Sequence, residues 1–199
     1  MASRIDIINV ALTKLGENRI LELDEQTKQA EETGAVYDSI LESELIANRW
    51  GFATKRASIA ALAEAPTWGY ARKFALPADC LAVQYVNGQS FISLDTLRTS
   101  DSAVWSIEGA AILTNLATPL QIIYTAMIEN PDEWNAGFRK AMSVKIAEFV
   151  CISLTNDKGL RDRLTQEYEI AIRDARQQAA IQSPPQELRD SSWLTARVS

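Results

Sequence analysis

The sequence predicts a mainly α protein with a β-insertion. The expected architecture is a four-helix bundle, two helices N-terminal and two C-terminal. A small antiparallel sheet lies between helices two and three, and an extended C-terminal arm follows. Three observations predict it. Apolar residues recur at helical spacing toward both ends of the chain, residues 70–128 switch to short β-type runs between turn signals, and any period disappears after residue 182.

The first helix opens with Ser3 and Asp6, the spacing of a capping box. Ile5, Ile8, Leu12 and Leu15 form its stripe, and Gly16 suits the left-handed position after its end. A polar, acidic linker, "ENRILELDEQT", separates it from a longer second helix. That helix carries Tyr37, Leu41, Leu45, Asn48 and Phe52 on one face, and its predicted end is near Ala53. Val36 and Ile40 widen the face.

In the middle of the chain Pro77 breaks the pattern, and a β-type run follows from Leu81 to Val86. Asn87-Gly88 is a hairpin signal, because both residues tolerate positive φ. "VWSIEGAAILT" reads as a second hairpin turning at Glu108-Gly109. Leu120 to Ile128 is a strand rich in β-branched residues.

Helix resumes at "NPDEWNAGF", where Asn130 can cap, Pro131 fits the first turn and Glu133 can close a reciprocal bond. Trp134, Phe138, Met142, Ile146 and Phe149 are its expected buried face. A break near Asn156-Asp157 starts the last helix, striped by Leu160, Leu164, Tyr168, Ala171 and Ala175. The expected units are therefore 1–69 and 129–182 as the two helical pairs, 70–128 as the β-insertion and 183–199 as the arm.

Composition narrows the chemistry. The chain has 199 residues, 47% of them hydrophobic, enough for one core without covalent staples. Its two cysteines, Cys80 and Cys151, have no metal-like spacing and sit among apolar neighbours, which points to core thiols and a reduced, intracellular origin. There is no histidine, which removes Ser-His and Cys-His nucleophile systems and His-bearing zinc sites. The net charge is −6, and residues 1–50 supply most of the excess with ten acids against five bases. Such a chain does not attract DNA through its overall field. The N-terminus does not read as a signal peptide, since Asp6 interrupts a short apolar run, and no membrane span is expected.

Three stretches compete for a functional role. "RWGFATKRASIAAL" places Trp50 and Phe52 beside Arg49, Lys55 and Arg56, the ingredients of a base-stacking, phosphate-holding patch. The simpler reading is a helix terminus, with its aromatics closing the bundle. Glu31-Glu32, Glu42-Glu44 and Glu167-Glu169 are carboxylate pairs of the kind a glycosidase needs, though only facing carboxylates would serve. The arm carries Trp193 and Leu194 where no period would bury them, which suits docking on a partner. No cofactor, metal or catalytic site is expected.

"INVALTKLGENRI", "VYDSILESELIANRWGFATKRASI" and "YARKFALPADCLAVQYVNG", with the order helix, helix, β-insertion, helix, helix, arm, resemble the podovirus head-to-tail adaptor family. These are the connectors of short-tailed phages of the tail tubular protein A and packaged-DNA-stabilisation type. The resemblance implies a structural virion protein, made in the host cytoplasm and placed in the phage neck. It implies a ring of about twelve copies between the portal protein and the tail nozzle protein. The ring would extend the DNA channel and help retain packaged DNA, without sequence-specific DNA binding and without membrane contact. Arm residues Trp193, Leu194 and Arg197 are the positions it points to for partner binding. The alternative carried by the same resemblance is a peptidoglycan-cleaving virion enzyme using a carboxylate pair.

Overall fold

The computed structural model describes residues 2–87, 89–90 and 105–182. Along the chain these form α1 (Arg4–Leu15), α2 (Lys28–Ala47), a 3-10 turn (Gly51–Ala53), β1 (Thr54–Ile59), β2 (Arg72–Ala75), β3 (Cys80–Val86), β4 (Gln89–Ser90), β5 (Trp105–Glu108), β6 (Ala111–Thr114), β7 (Leu120–Ala126), a second 3-10 turn (Pro131–Glu133), α3 (Ala136–Thr155) and α4 (Lys158–Gln182). The class is mixed α/β, with two helices on either side of the strands.

Local chemistry sets the helix ends. Ser3 and Asp6 form the capping box, and Gly16 closes α1 at φ 74°. α2 stops at Ala47, six residues short of the expected end, and Asn48 is extended. The reason is the carbonyl of Glu44, which accepts from the Asn48 side-chain amide at 3.3 Å and from the Trp50 indole N–H at 3.0 Å. Two side chains thus occupy the oxygen that the next helical turn would use. α3 also begins later than expected. Asn130 caps only the 3-10 turn, through Asp132 N–H, and Asn135 caps the helix proper through Phe138 N–H at 2.7 Å.

The single sheet expected for 70–128 is two sheets, and strand begins at Thr54. The first has the order β1-β7-β3-β4 and the second β2-β6-β5. β7 pairs with β1 on one edge (Thr54 opposite Thr125) and β3 on the other, so both its edges are filled. β2, β6 and β5 form the second sheet, and Ala61, just after β1, makes an antiparallel bridge to Phe74 of β2. Asn87 turns β3 into β4 at φ 48°, as the hairpin signal requires, and Gly109 turns β5 into β6 at φ 59°.

α3 lies innermost among the helices. Phe138, Ala141, Met142, Val144, Ile146, Ala147, Val150 and Cys151 are all buried and fall on several faces of the helix, the mark of a helix packed by others. α1, α2 and α4 pack on it. Side chains tie these three to one another. Arg4 pairs with Asp38 at 3.1 Å, Lys14 with Glu167 at 2.6 Å, and the Tyr168 hydroxyl donates to Glu44 Oε1 at 2.6 Å. Phe149 departs from the expected buried face and is 64% exposed.

Two predictions follow from this packing. A Cβ on Gly137 would sit 3.0 Å from the Cα and Cβ of Ala175, so α3 and α4 touch backbone to backbone there. Gly137→Val forces the helices apart and costs about 1–3 kcal/mol in urea unfolding, whereas the same change at Gly34, where nothing lies within 4 Å, lacks the clash. Burial, then the bond to Glu44, raises the Tyr168 phenol above its ordinary value. A raised folded pKa gives stability that is full below the unfolded tyrosine range and is lost as pH rises from there through the folded value. Tyr168→Phe strands Glu44 Oε1, lowers stability at neutral pH by about 1–3 kcal/mol, and makes the decline above about pH 10 shallower.

Candidate functional site

The strands of the first sheet run toward the turn that starts α3, and a cleft of about 540 Å³ opens at this seam. Lys55 of β1, Ala78 and Asp79 ahead of β3, Met127 to Asn130 after β7, and Glu133 of the 3-10 turn line it. Each arrives for a local reason. Pro77 ends the preceding segment, and its carbonyl accepts from Cys80 N–H at 3.0 Å in a tight turn that presents Asp79. The Asp79 carbonyl accepts from Met127 N–H at 2.8 Å, holding the end of β7 against the start of β3.

The Asp79 carboxylate joins three strands. Oδ2 takes Lys55 Nζ at 2.7 Å from β1, and Oδ1 takes the Tyr124 hydroxyl at 3.1 Å from β7. The Lys55 bond, aided by Tyr124, holds the Asp79 carboxyl below the usual carboxylate range despite some desolvation. Burial and the bond to Asp79 push the Tyr124 phenol up to about 12. Burial and the Asp79 charge push the neighbouring Cys80 thiol up to about 11. At neutral pH the cysteine is therefore a thiol and the phenol is intact, so neither is an activated nucleophile. Lys55 is neutralised by Asp79, while Glu129 and Glu133 form no ion pair among the described residues. Beside them Met127 is half-buried and Ile128 buried, while Glu129 and Glu133 are exposed.

The sequence-derived candidates separate. Trp50 is fully buried, stacked with Phe52 at 5.9 Å and tilted against Phe138 at 4.8 Å, so it presents no face to a base. Arg49 lies over the Tyr85 ring and donates to its hydroxyl at 2.8 Å. The carboxylate pairs do not face one another across a cleft. Glu44 is buried against Tyr168 while Glu42 is exposed, Glu167 bonds Lys14, and Glu31 and Glu32 are neighbours on α2. Cys151 is buried and both cysteines are free thiols. Arm positions Trp193, Leu194 and Arg197 lie outside the described residues. Among the described residues no group of three His, Cys, Asp or Glu side chains could hold a metal, and no helix is long and apolar enough to cross a membrane.

Sequence reasoning missed two features. The Asp79 clasp depends on the pairing of β1 with β7, which no local pattern encodes. Trp68, 85% exposed between Pro66 and Gly69, was legible as a loop tryptophan with no periodic face to bury it. No protein-family model matches the chain, and no curated protein matches it either.

Asp79 yields a pH signature. Its folded pKa is lowered, so its contribution is complete above the unfolded carboxylate range and is lost as pH falls through the folded value. Asp79→Asn keeps an acceptor for Tyr124 but loses the ion pair. Its urea midpoint drops at pH 7 by a shift worth about 0.5–1 kcal/mol, the scale of a partly exposed pair. The gap to the wild type narrows below about pH 4.

Proposed function

We propose that the protein is a structural virion component, the head-to-tail connector that joins the portal to the tail nozzle of a short-tailed phage. In this reading two helical pairs form a four-helix bundle, the β-insertion projects from it and the arm engages neighbours. About twelve copies form a ring that extends the DNA channel and helps retain packaged DNA.

The observation that carries the reading is the architecture itself. Two helices, a strand-built insertion and two further helices come in the order that the resembling family has, and the insertion leaves and rejoins the helical layer through the paired strands β1 and β7. Such an insertion can be presented to another ring without disturbing the helices. Exposed acids along the α1–α2 linker and α2, among them Glu22, Asp24, Glu31 and Glu42, would make a channel wall that DNA slides past.

Light scattering on the purified protein, alone and mixed with the portal ring of its virus, tests the proposal. The expected result is a stoichiometric ring complex with the portal that is lost when residues 183–199 are deleted. An intact portal that recruits no copies overturns it.

A further inference from the structure

The first sheet has a face turned away from the core. Ile122, Tyr124 and Ala126 of β7 are buried on one side, so strand alternation sends Gln121 and Ile123 to the other, where Gln121 is exposed and Ile123 half-buried. Register sets a row across three strands there. Ile123 stands opposite Arg56 of β1 on one edge and opposite Tyr85 of β3 on the other. Antiparallel partners in register share a face, so Arg56, Ile123 and Tyr85 stand side by side. Arg49, just past α2, joins them, with its guanidinium 5.2 Å from the Tyr85 ring centroid and a bond to the Tyr85 hydroxyl at 2.8 Å. In the next row Ser58 and Gln121 stand opposite each other, both exposed.

The charge on this face is of one sign. β1, β3 and β7 contain no Asp or Glu. Arg49 and Arg56 are both exposed, and neither forms an ion pair among the described residues. Lys55, the other base of β1, is turned to the opposite face and neutralised by Asp79. Tyr85 holds the Arg49 guanidinium in place, so less freedom is lost when it binds. Strands lie about 4.8 Å apart, which puts β1 and β3 about 10 Å from each other across β7. Over that span one strand of DNA presents about three phosphates, at 3.4 Å of axis each. Two planar, unneutralised guanidinium groups at this separation match a repeated anion, and the hydroxyl and amide of Ser58 and Gln121 add neutral donors for phosphate or sugar oxygens.

We propose that the open face of the β1-β7-β3 sheet binds the sugar–phosphate backbone of DNA without reading its bases, with Arg49 and Arg56 each taking a phosphate. The net charge of −6 keeps the contact weak, and its local field comes from acid-free strands rather than from the chain as a whole. The contact is measured on the isolated chain, so it stands or falls separately from the portal experiment.

Fluorescence anisotropy tests it, with two labelled DNA duplexes of unrelated sequence titrated by the full chain between about 50 and 200 mM salt. The expected result is equal affinity for both duplexes, with log affinity falling against log salt at a slope of about 2. Arg56→Ala should weaken binding about tenfold at the low-salt end and lower the slope by about 1, while Arg56→Lys retains most of both. Arg56 is exposed and unpaired, so its urea midpoint stays that of the wild type, which separates lost binding from lost folding. Lys140→Ala, at an exposed base on α3, should leave binding unchanged. No binding at the low-salt end overturns the proposal, and so does a Lys140→Ala loss as large as that of Arg56→Ala, which would mean diffuse attraction with no site. An Arg56→Ala chain that still binds DNA but changes its mass in light scattering also overturns it, since the face then meets a second copy.

Discussion

The packing of three helices against α3 sets the terms for the other elements. A helix with buried apolar residues on several faces gains too little from a single packing partner, because its other apolar faces would still be wet. α1, α2 and α4 must each take a face. Long polar side chains also link them, in the Arg4–Asp38, Lys14–Glu167 and Tyr168–Glu44 contacts. Apolar residues of all the helices bury against one another in a single core, and the polar pairs add contacts between the outer helices. Gly137 lets α4 approach to backbone contact at the very turn where α3 leaves the strands.

The same constraint explains the aromatics. Trp50, Phe52, Trp134 and Phe138 meet at the N-terminal end of α3, with ring centroids 4.8 to 5.9 Å apart. Two of them precede the insertion and two follow it. Both indoles also donate to backbone carbonyls, Trp50 to Glu44 and Trp134 to Ile128. The insertion therefore enters and leaves through one apolar knot, and β1 lies beside β7 because its ends are already together. Strand pairing at the base is a consequence of the knot, and the second sheet is free to form beyond it.

This ordering accounts for what could be read from the sequence. Helix caps were legible at Ser3 and Gly16, since capping is decided within a few residues. The hairpin turn at Asn87 was legible for the same reason. The stripe through Asn48 and Phe52 continued the period of α2, yet the helix had already stopped, because Trp50 folds back onto Glu44 through a contact that periodicity does not describe. β1 was missed because "TKRASI" has no apolar alternation of its own; its partner lies 61 to 71 residues away and supplies the reason for its shape. Phe149 had the right spacing for burial but is left largely exposed.

The candidate site was illegible for a related reason. Lys55, Asp79 and Tyr124 are unremarkable singly, and only the order β1-β7-β3 brings them within bonding distance. Asp79 uses both carboxylate oxygens and its carbonyl to hold that order. A carboxylate so fully committed to architecture has little left for catalysis, and the thiol and phenol beside it are held in their protonated forms by its charge and by burial. The reactive groups of the seam are quiet as a result of its construction. Glu129 and Glu133 stand exposed beside it and form no ion pair among the described residues.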